Sequence, residues 1–540
     1  MMRAALIRVS MRTLLTLILL LLISAPSAAQ EVNYRNANLY VESNDVKVQK
    51  PGVPLELKRV YNSRSNLQGY FGHGWTTNLD IVCQEGPDGS VLVTDADGFI
   101  MRYTPDGEPR ERLMERYAER LVDARRDQDA RLSAARSDAF YDDLRQQLID
   151  KPELRQEMGQ VLASAWLDAA AGEYISYDRG TERLEKKTDN TYIRYRADGT
   201  QYHFNKYGLL TNLVDTGGRG IRLDYDRDRR LVKVTHTEGG SITLNYTNSG
   251  KVGSILDTEG RRISFGYSDD NLTKVEGPGS RKIAYAFDEE HNLTAARLED
   301  GTGFQVSYDT ERDWVKAIKV GEDVTQYSWV IQDYQHYTCE VTSAAGVTRH
   351  VFDDKENKQV IILPDGSQQE TILSACCAKP LEVRDESGVT RYDYDPQARL
   401  VGIEFPDARK VRYAYHPKWS RVVQAMHSDG RRYNYVYDEV GNLTEAVDAN
   451  GRKLSLSYGR NGKVDEIRDE SGRVYTFVYD TSGRPTQIAK GKEGSLNIRY
   501  GINGEIRSTE VEEGSSSQAD LYSDLRAVLS LLEPATGNLQ

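Results

Sequence analysis

Four cysteines, Cys83, Cys339, Cys376 and Cys377, and eight histidines are the side chains best suited to nucleophilic, redox or metal chemistry in this 540-residue chain. The adjacent pair Cys376 and Cys377 could form a redox or metal element, but no second CxxC and no histidine cluster stands near it, and the plain structural reading is preferred. Four cysteines are also too few to staple a chain of this length, although one or two bridges are permitted. No HExxH, GxSxG, P-loop or dinucleotide fingerprint occurs. DADG at Asp95 to Gly98 is much shorter than an EF-hand loop and reads as a hairpin turn. Most carboxylates sit in DxxG or DG corners, where Asp satisfies turn backbones, so no pair singles itself out as acid and base. The NLT triplets at Asn271, Asn292 and Asn442 are explained by repeat position. No catalytic residue, cofactor or metal site is expected, and the protein is not expected to be an enzyme.

The chemistry most represented is aromatic, with 33 tyrosines against 10 phenylalanines. Tyrosine suits half-buried strand faces, where the ring packs and the hydroxyl still reaches a polar partner. Its spacing reveals the architecture. The aromatics ending each strand-like run are Tyr225, Tyr246, Tyr267, Phe287, Tyr308, Trp329, Phe352, Tyr394, Tyr415, Tyr437, Tyr458, Tyr479 and Tyr500, with Leu373 standing in once; ten of the thirteen intervals are 21 residues. This ladder serves structure or partner binding. In one unit RRYNYVY alternates Tyr433, Tyr435 and Tyr437 on one face, DEVGN turns the chain, and a second strand returns from Leu443 to about Val447. Each unit is therefore a β-hairpin. The return strands place apolar residues three apart, as in Leu231 with Val234 and Val464 with Ile467, so either the first member sits in the turn or each strand carries a bulge.

Fourteen hairpins make about 28 strands, or roughly 130 Å of sheet at ~4.8 Å per strand. Open twisted sheets rarely exceed ~10 strands without curling, so this one must roll or close. A single closed turn would measure roughly 40 Å across, too wide for side chains alone to fill. Either a hollow or a core made by another part of the chain is expected.

Ahead of the repeats, Gly72 and Gly74 flank His73 and permit a tight turn that swings Trp75 inward, which makes His73 a turn residue rather than a ligand. Arg59, Tyr61 and Arg64 are explained by alternation along a strand. Units such as YDYDPQARLVGIEFPD (Tyr392 to Asp407) and YVYDEVGNLTEAVDANG (Tyr435 to Gly451) resemble the YD repeats of Rhs proteins, bacterial relatives of the teneurin shell. KPGVPLELKRVYNSRS (Lys50 to Ser65) followed by GYFGHGW (Gly69 to Trp75) resembles the domain that precedes Rhs repeats in exported bacterial members. The resemblance covers about 400 of the 540 residues. It implies a spiral β-sheet shell that, in toxin-bearing relatives, encloses a C-terminal effector. The chain departs from those relatives in lacking a terminal DPxGL-type motif, linked in them to self-cleavage, and a toxin domain; Asp395 and Pro396 lie inside an ordinary repeat.

From about Pro109 to Ala171 helical periodicity replaces the strand pattern. Leu154, Met158, Val161, Leu162, Ala165, Trp166 and Ala169 form one face, Asp150 is a candidate cap with Pro152 in the first turn, and a more charged helix runs upstream through Leu113, Tyr117 and Leu121. Because DGFIMRYT and GEYISYD flank it, this helical hairpin is expected to be grafted into one turn. It either fills or caps the cavity left by the missing toxin or forms an exposed docking arm. After Tyr500, a Gly/Ser stretch leads to an amphipathic helix through Leu521, Leu525, Val528 and Leu532, read as a surface helix, a plug or a dock.

Arg3, Arg8 and Arg12 precede a mostly apolar run, Leu14 to Ile23, and the small residues Ser24 to Ala29 follow, giving an export signal with cleavage after Ala29; Met11 is an alternative start. About ten apolar residues cannot span a bilayer core that needs roughly 20. A formal net charge of −12, with both signs interleaved, disfavours nucleic acid as a partner. The expected organisation is a signal peptide (1–29), a front β domain (30–108 and 172–205) interrupted by the helical insertion (109–171), YD/Rhs repeats (206–510), and a polar linker with a short helix (511–540). The expected fold is mainly β, a curled or spiral antiparallel sheet of hairpins with a helical insertion. The expected function is an exported, non-catalytic shell, periplasmic, cell-surface or extracellular, that encloses or binds a polypeptide supplied in trans. The alternative is a cell-surface protein that binds carbohydrate or mediates adhesion.

Overall fold

The computed structural model describes residues 30–278, 281–375, 377–480, 483–491, 493–500, 506–512 and 532. The signal segment, Cys376 and all of the C-terminal helix but Leu532 lie outside them. The protein is mainly β, with one long antiparallel sheet whose strands follow chain order. It divides into two compact units, one comprising residues 1–78, 214–395 and 399–540, the other residues 79–213 and 396–398. The first strands, residues 30–78, fall in the unit that holds most of the repeats, and the strands on either side of the insertion fall in the other.

In the smaller unit, β7 (Val82–Glu85), β8 (Val91–Thr94) and β9 (Ile100–Pro105) form a meander. It continues through β10 (Gly172–Ser176), which pairs directly with β9. The insertion therefore leaves and re-enters the sheet between two neighbouring strands. It holds three helices, not a hairpin: α1 (Arg110–Arg131), α2 (Asp138–Asp150) and α3 (Pro152–Val161). Asp150 is the last residue of α2, and Lys151 alone separates it from α3, so Lys151 takes the cap position and Pro152 the first turn. The helical run through Ala169 stops early. After Val161 the backbone leaves α geometry at Leu162, and the Trp166 indole N–H donates to the Gly159 carbonyl at 2.9 Å, satisfying one orphan acceptor of the helix end. Tyr117, Leu121, Tyr141, Leu148 and Leu162 make the helices' own core, whereas Trp166 is 50% exposed and Val161 75%.

In the larger unit the repeats are hairpins in regular register. At twelve of the fourteen ladder positions, Trp329 and Phe352 being the exceptions, the register shifts at the aromatic. Tyr225 faces Leu231 while Asp224 faces Lys233, leaving Val232 unpaired. The bulge thus decides the earlier alternative: it turns both Leu231 and Val234 to the buried face, three residues apart.

Turn chemistry is equally regular. In Asp469 to Arg473 one carboxylate oxygen accepts the amides of Ser471 and Arg473, and the other takes the Arg473 guanidinium at 2.6 Å. Asp226, Asp257, Asp395, Asp448 and Asp480 clamp their own turns through an arginine four residues on. These carboxylates are occupied by backbone and arginine. Asn292 and Asn442 play the same part, each giving its side-chain amide to the Asp four residues before it.

Candidate functional site: the buried face of the repeat sheet

Within the larger unit the sheet winds until turns far apart in the chain meet. Trp419 donates its indole N–H to the Thr216 hydroxyl at 2.9 Å, and a Cβ on Gly217 would lie 3.0 Å from Val440. About 20 strands separate these turns in chain order, so one circuit is ~100 Å around and ~30 Å across. The circuit is tighter than the roughly 40 Å expected because the strands overlap their own beginning instead of closing as a single ring.

Another part of the chain covers much of the buried face. Four strands, β1 (Gln30–Asn33), β2 (Asn38–Val48), β3 (Leu55–Asn62) and β6 (Trp75–Thr77), form a small sheet in the order β1-β2-β3-β6. Between β3 and β6 lie the two-residue strands β4 (Gln68–Gly69) and β5 (Gly72–His73). Trp75 is fully buried, 5.4 Å from the Tyr285 ring, and Phe71 meets Phe265 edge-on at 5.1 Å. Gly72 and Gly74 have φ of 98° and 72°. A Cβ at the first would lie 2.6 Å from the Asp270 carbonyl, and at the second 2.8 Å from the Tyr61 ring. The turn needs glycine both for conformation and for space.

Arg59 is not explained by alternation. It is fully buried and ion-pairs through two nitrogens with Asp45, at 2.5 and 2.9 Å, while Arg281 of the repeats reaches the same carboxylate at 2.8 Å. Its guanidinium lies 4.7 Å from the Trp75 ring centre and 5.1 Å from that of Phe265. This arginine, carboxylate, arginine cluster ties the front sheet to the repeats. The only trace of it in the sequence is a charged residue among apolar alternations, which does not distinguish a buried arginine from an exposed one.

The ladder aromatics lie on this face with their hydroxyls turned to backbone. Tyr246, Tyr267, Tyr308, Tyr415, Tyr437, Tyr458, Tyr479 and Tyr500 each donate to a carbonyl 15 residues earlier, at 2.6 to 3.0 Å. Each bond fastens a hairpin to the one before it. Burial pushes the Tyr415, Tyr437 and Tyr500 hydroxyls up to about 12, so they remain donors. Turn arginines lie over the rings of the following unit, as Arg399 over Tyr415 at 4.7 Å and Arg484 over Tyr500 at 4.7 Å. In the first half of the array the ladder also meets the front sheet. Tyr246 contacts Tyr70, Phe287 contacts Tyr61, Trp329 donates to the Tyr34 carbonyl at 2.9 Å, and Phe352 lies under Arg35. Tyr225 closes the first bulge and Tyr394 is half-buried, its hydroxyl pushed up to about 12 by burial.

One stretch of the face is left open. On the side shared with buried His350 and Phe352, cross-strand pairing places Ile361, Thr371, Leu373, Val383 and Tyr392. All are only half-buried, and no residue of Lys358–Ile362, Gln368–Leu373, Pro380–Asp385 or Gly388–Tyr394 is buried. The neighbouring strands bury Ile403 and Val411 on the same face.

Among the described residues, no group of three or more histidine, cysteine or acidic side chains is placed to hold a metal ion. Cys83, Cys339 and Cys377 are free thiols; burial pushes Cys339 up to about 12 and Cys83 higher. Asp95 of the DADG turn pairs with the buried Arg194 at 2.5 Å, and Asp97 with Arg179 at 2.8 Å, so the turn's carboxylates are committed to arginines.

Residues 29–103 match a family model described as a domain of unknown function, DUF6531. Over 132 residues the chain is 30% identical to Teneurin-m of Drosophila melanogaster. The array is Rhs/YD-like. The match with Teneurin-m covers 24% of this chain and 4% of that protein, so the chain spans a small fraction of that relative. Among solved structures, a crystal structure of TcdB2-TccC3-Cdc42 aligns with 89% of this chain and 30% of its own at 12% identity, with a TM-score of 0.40. The Photorhabdus luminescens Tc holotoxin pore aligns with 89% of this chain and 29% of its own at 10% identity, with a TM-score of 0.37.

Proposed function

We propose that this protein is an exported, non-catalytic YD-repeat shell that holds a partner polypeptide against the buried face of its sheet. The observation that carries this reading is the open stretch just described. Four consecutive strands present Ile361, Leu373, Val383 and Tyr392 half-uncovered, although the winding sheet turns that face inward and the front segment covers its neighbours. Partly uncovered apolar side chains interleaved with Gln359, Gln369, Thr371 and Thr390 suit a partner that offers both apolar contacts and hydrogen bonds. Extended polypeptide is such a partner, because a sheet face offers rows of side chains at strand spacing.

The test is affinity purification of the full chain from its native host, with and without the paired substitutions Ile361→Lys and Val383→Lys. One stoichiometric protein, lost in the double variant and protecting residues 358–394 from hydrogen exchange while bound, supports the shell. Retention on cell-wall polysaccharide with no protein partner, unchanged by the double variant, supports the carbohydrate-binding alternative instead.

A further inference from the structure

The eight histidines are scattered along the sequence, yet four of them meet where the front segment, residues 30–78, lies on the repeats. His73 of β5 stacks on His291 of a repeat turn, with ring centres 4.7 Å apart and planes 25° apart. His236 takes the Val53 carbonyl on Nε2 at 2.9 Å and accepts the Glu238 amide on Nδ1 at 3.0 Å. His350 stacks on Tyr34 at 4.2 Å. From these contacts we infer that His73, His236 and His350 form an acid-released latch, holding the front segment on the repeats while neutral and loosening it when they take up protons.

The geometry favours neutral rings at His73, His236 and His350. At His236 both nitrogens have fixed roles: Nε2–H donates, so Nδ1 must carry the lone pair that the Glu238 amide meets. A proton on Nδ1 expels that amide. The His73 and His350 Nδ1 atoms are buried without a partner, so a charge there would be neither solvated nor hydrogen-bonded. Two stacked imidazoliums at His73 and His291 would repel at close range.

The charged groups facing each ring do not cancel this. Asp270 favours protonation of His73, but its carboxylate is already held by Lys251 at 2.6 Å and Gln68 at 3.2 Å. His291 gives Nδ1 to Asn271 at 3.0 Å; across its turn, Asp288 and Asp313 are both taken by the Asn292 amide. His236 has Glu238 favouring the charge and Lys50 opposing it. His350 faces Tyr34 and pairs across the strands with Cys339 and Ile361, and the nearby Arg35 is paired with Asp354. Burial is the largest influence at His73, His236 and His350 and lowers all three from the ordinary 6.5. A lowered folded value means the docked state loses stability as pH falls below about 6.5, because the undocked state binds protons first. Docking is complete above that value.

Hydrogen exchange of the full-length protein at about pH 7.5 and about pH 5, corrected for intrinsic rates, tests the latch. Amides of residues 50–77 should open on the order of tenfold more often at the lower pH, while those of residues 432–479 change little. His73→Phe keeps a ring stacked on His291 and His236→Gln keeps a donor and an acceptor, and the two together should erase a large part of that increase while preserving protection at the higher pH. Equal protection of residues 50–77 at both pH values overturns the inference. So does an acid response that persists undiminished in the double variant. Should the double variant misfold, His73→Phe and His236→Gln alone give the same reading, each removing part of the response.

Discussion

Two halves of one repeat array solve the same burial problem differently. From Tyr246 to Phe352 the ladder packs against a foreign surface, the front sheet, with Phe71, Trp75 and Tyr61 inserted among repeat aromatics. From Tyr415 to Tyr500 it packs on itself, in a cluster of Tyr435, Leu456, Tyr475, Phe477 and Ile488 that also buries Leu532. Tyr246, Tyr267 and Tyr308 in the first half carry the same bulge and the same hydroxyl-to-carbonyl bond as the tyrosines of the second, while Trp329 and Phe352 carry neither. The difference lies in polar cost. The first half buries an ion cluster and histidines; in the second the buried charges, Asp448, Asp469 and Lys490, stand at strand ends beside the turns. A repeat can thus specify its own shape from sequence while leaving open what covers its buried face.

Removing the largest anchor should separate the halves most. Trp75→Ala empties a fully buried site and should cost about 3–5 kcal/mol of docking, seen as lost exchange protection over residues 242–352 but not over 432–479. Equal losses in both halves would mean that the array behaves as one unit. Asp45→Ala leaves Arg59 buried without its carboxylate and should cost about 3 kcal/mol in the same half, measured by denaturant titration of a probe there. Arg59→Met made together with Asp45→Ala should recover a large part of that loss. Gly74→Ala should cost about 1–3 kcal/mol, from its φ of 72° and the Tyr61 ring 2.8 Å from the added carbon. Tyr458→Phe and Tyr246→Phe each remove one bond to a carbonyl and should cost about 1 kcal/mol apiece, nearly alike in the two halves by thermal unfolding.

Acid should distinguish them most finely. Burial works against the Asp448 and Asp469 carboxylates, but the Arg452 and Arg473 clamps and the turn amides hold both below the usual range. Their contribution is complete above the unfolded value of 3.8 and is lost as pH falls through the lower folded value. The second half should therefore keep its exchange protection at pH values where the histidine seam has already opened.

The period of the array was legible because every hairpin repeats the same local needs: an aromatic before the turn, Asp at its start, Gly or Asn within it. The apolar residues three apart signalled something irregular, but whether turn or bulge depended on cross-strand register, which no single strand encodes. Gly72, Gly74 and Trp75 were readable, since glycines flanking one residue before a tryptophan have a local meaning. Arg59 was not, because its burial depends on Asp45, Arg281 and Phe265, which are distant in sequence. The seam histidines share no spacing with the 21-residue period. Their convergence arises only when the front sheet is laid across the repeats.

The tyrosine bond that reaches back 15 residues has a mechanical corollary. It links neighbours and never skips one, so once the bond between Trp419 and Thr216 has parted, tension applied along the chain meets these links one hairpin at a time. Stretched, a run of such hairpins should come apart unit by unit, each 21-residue release paying out ~70 Å of slack.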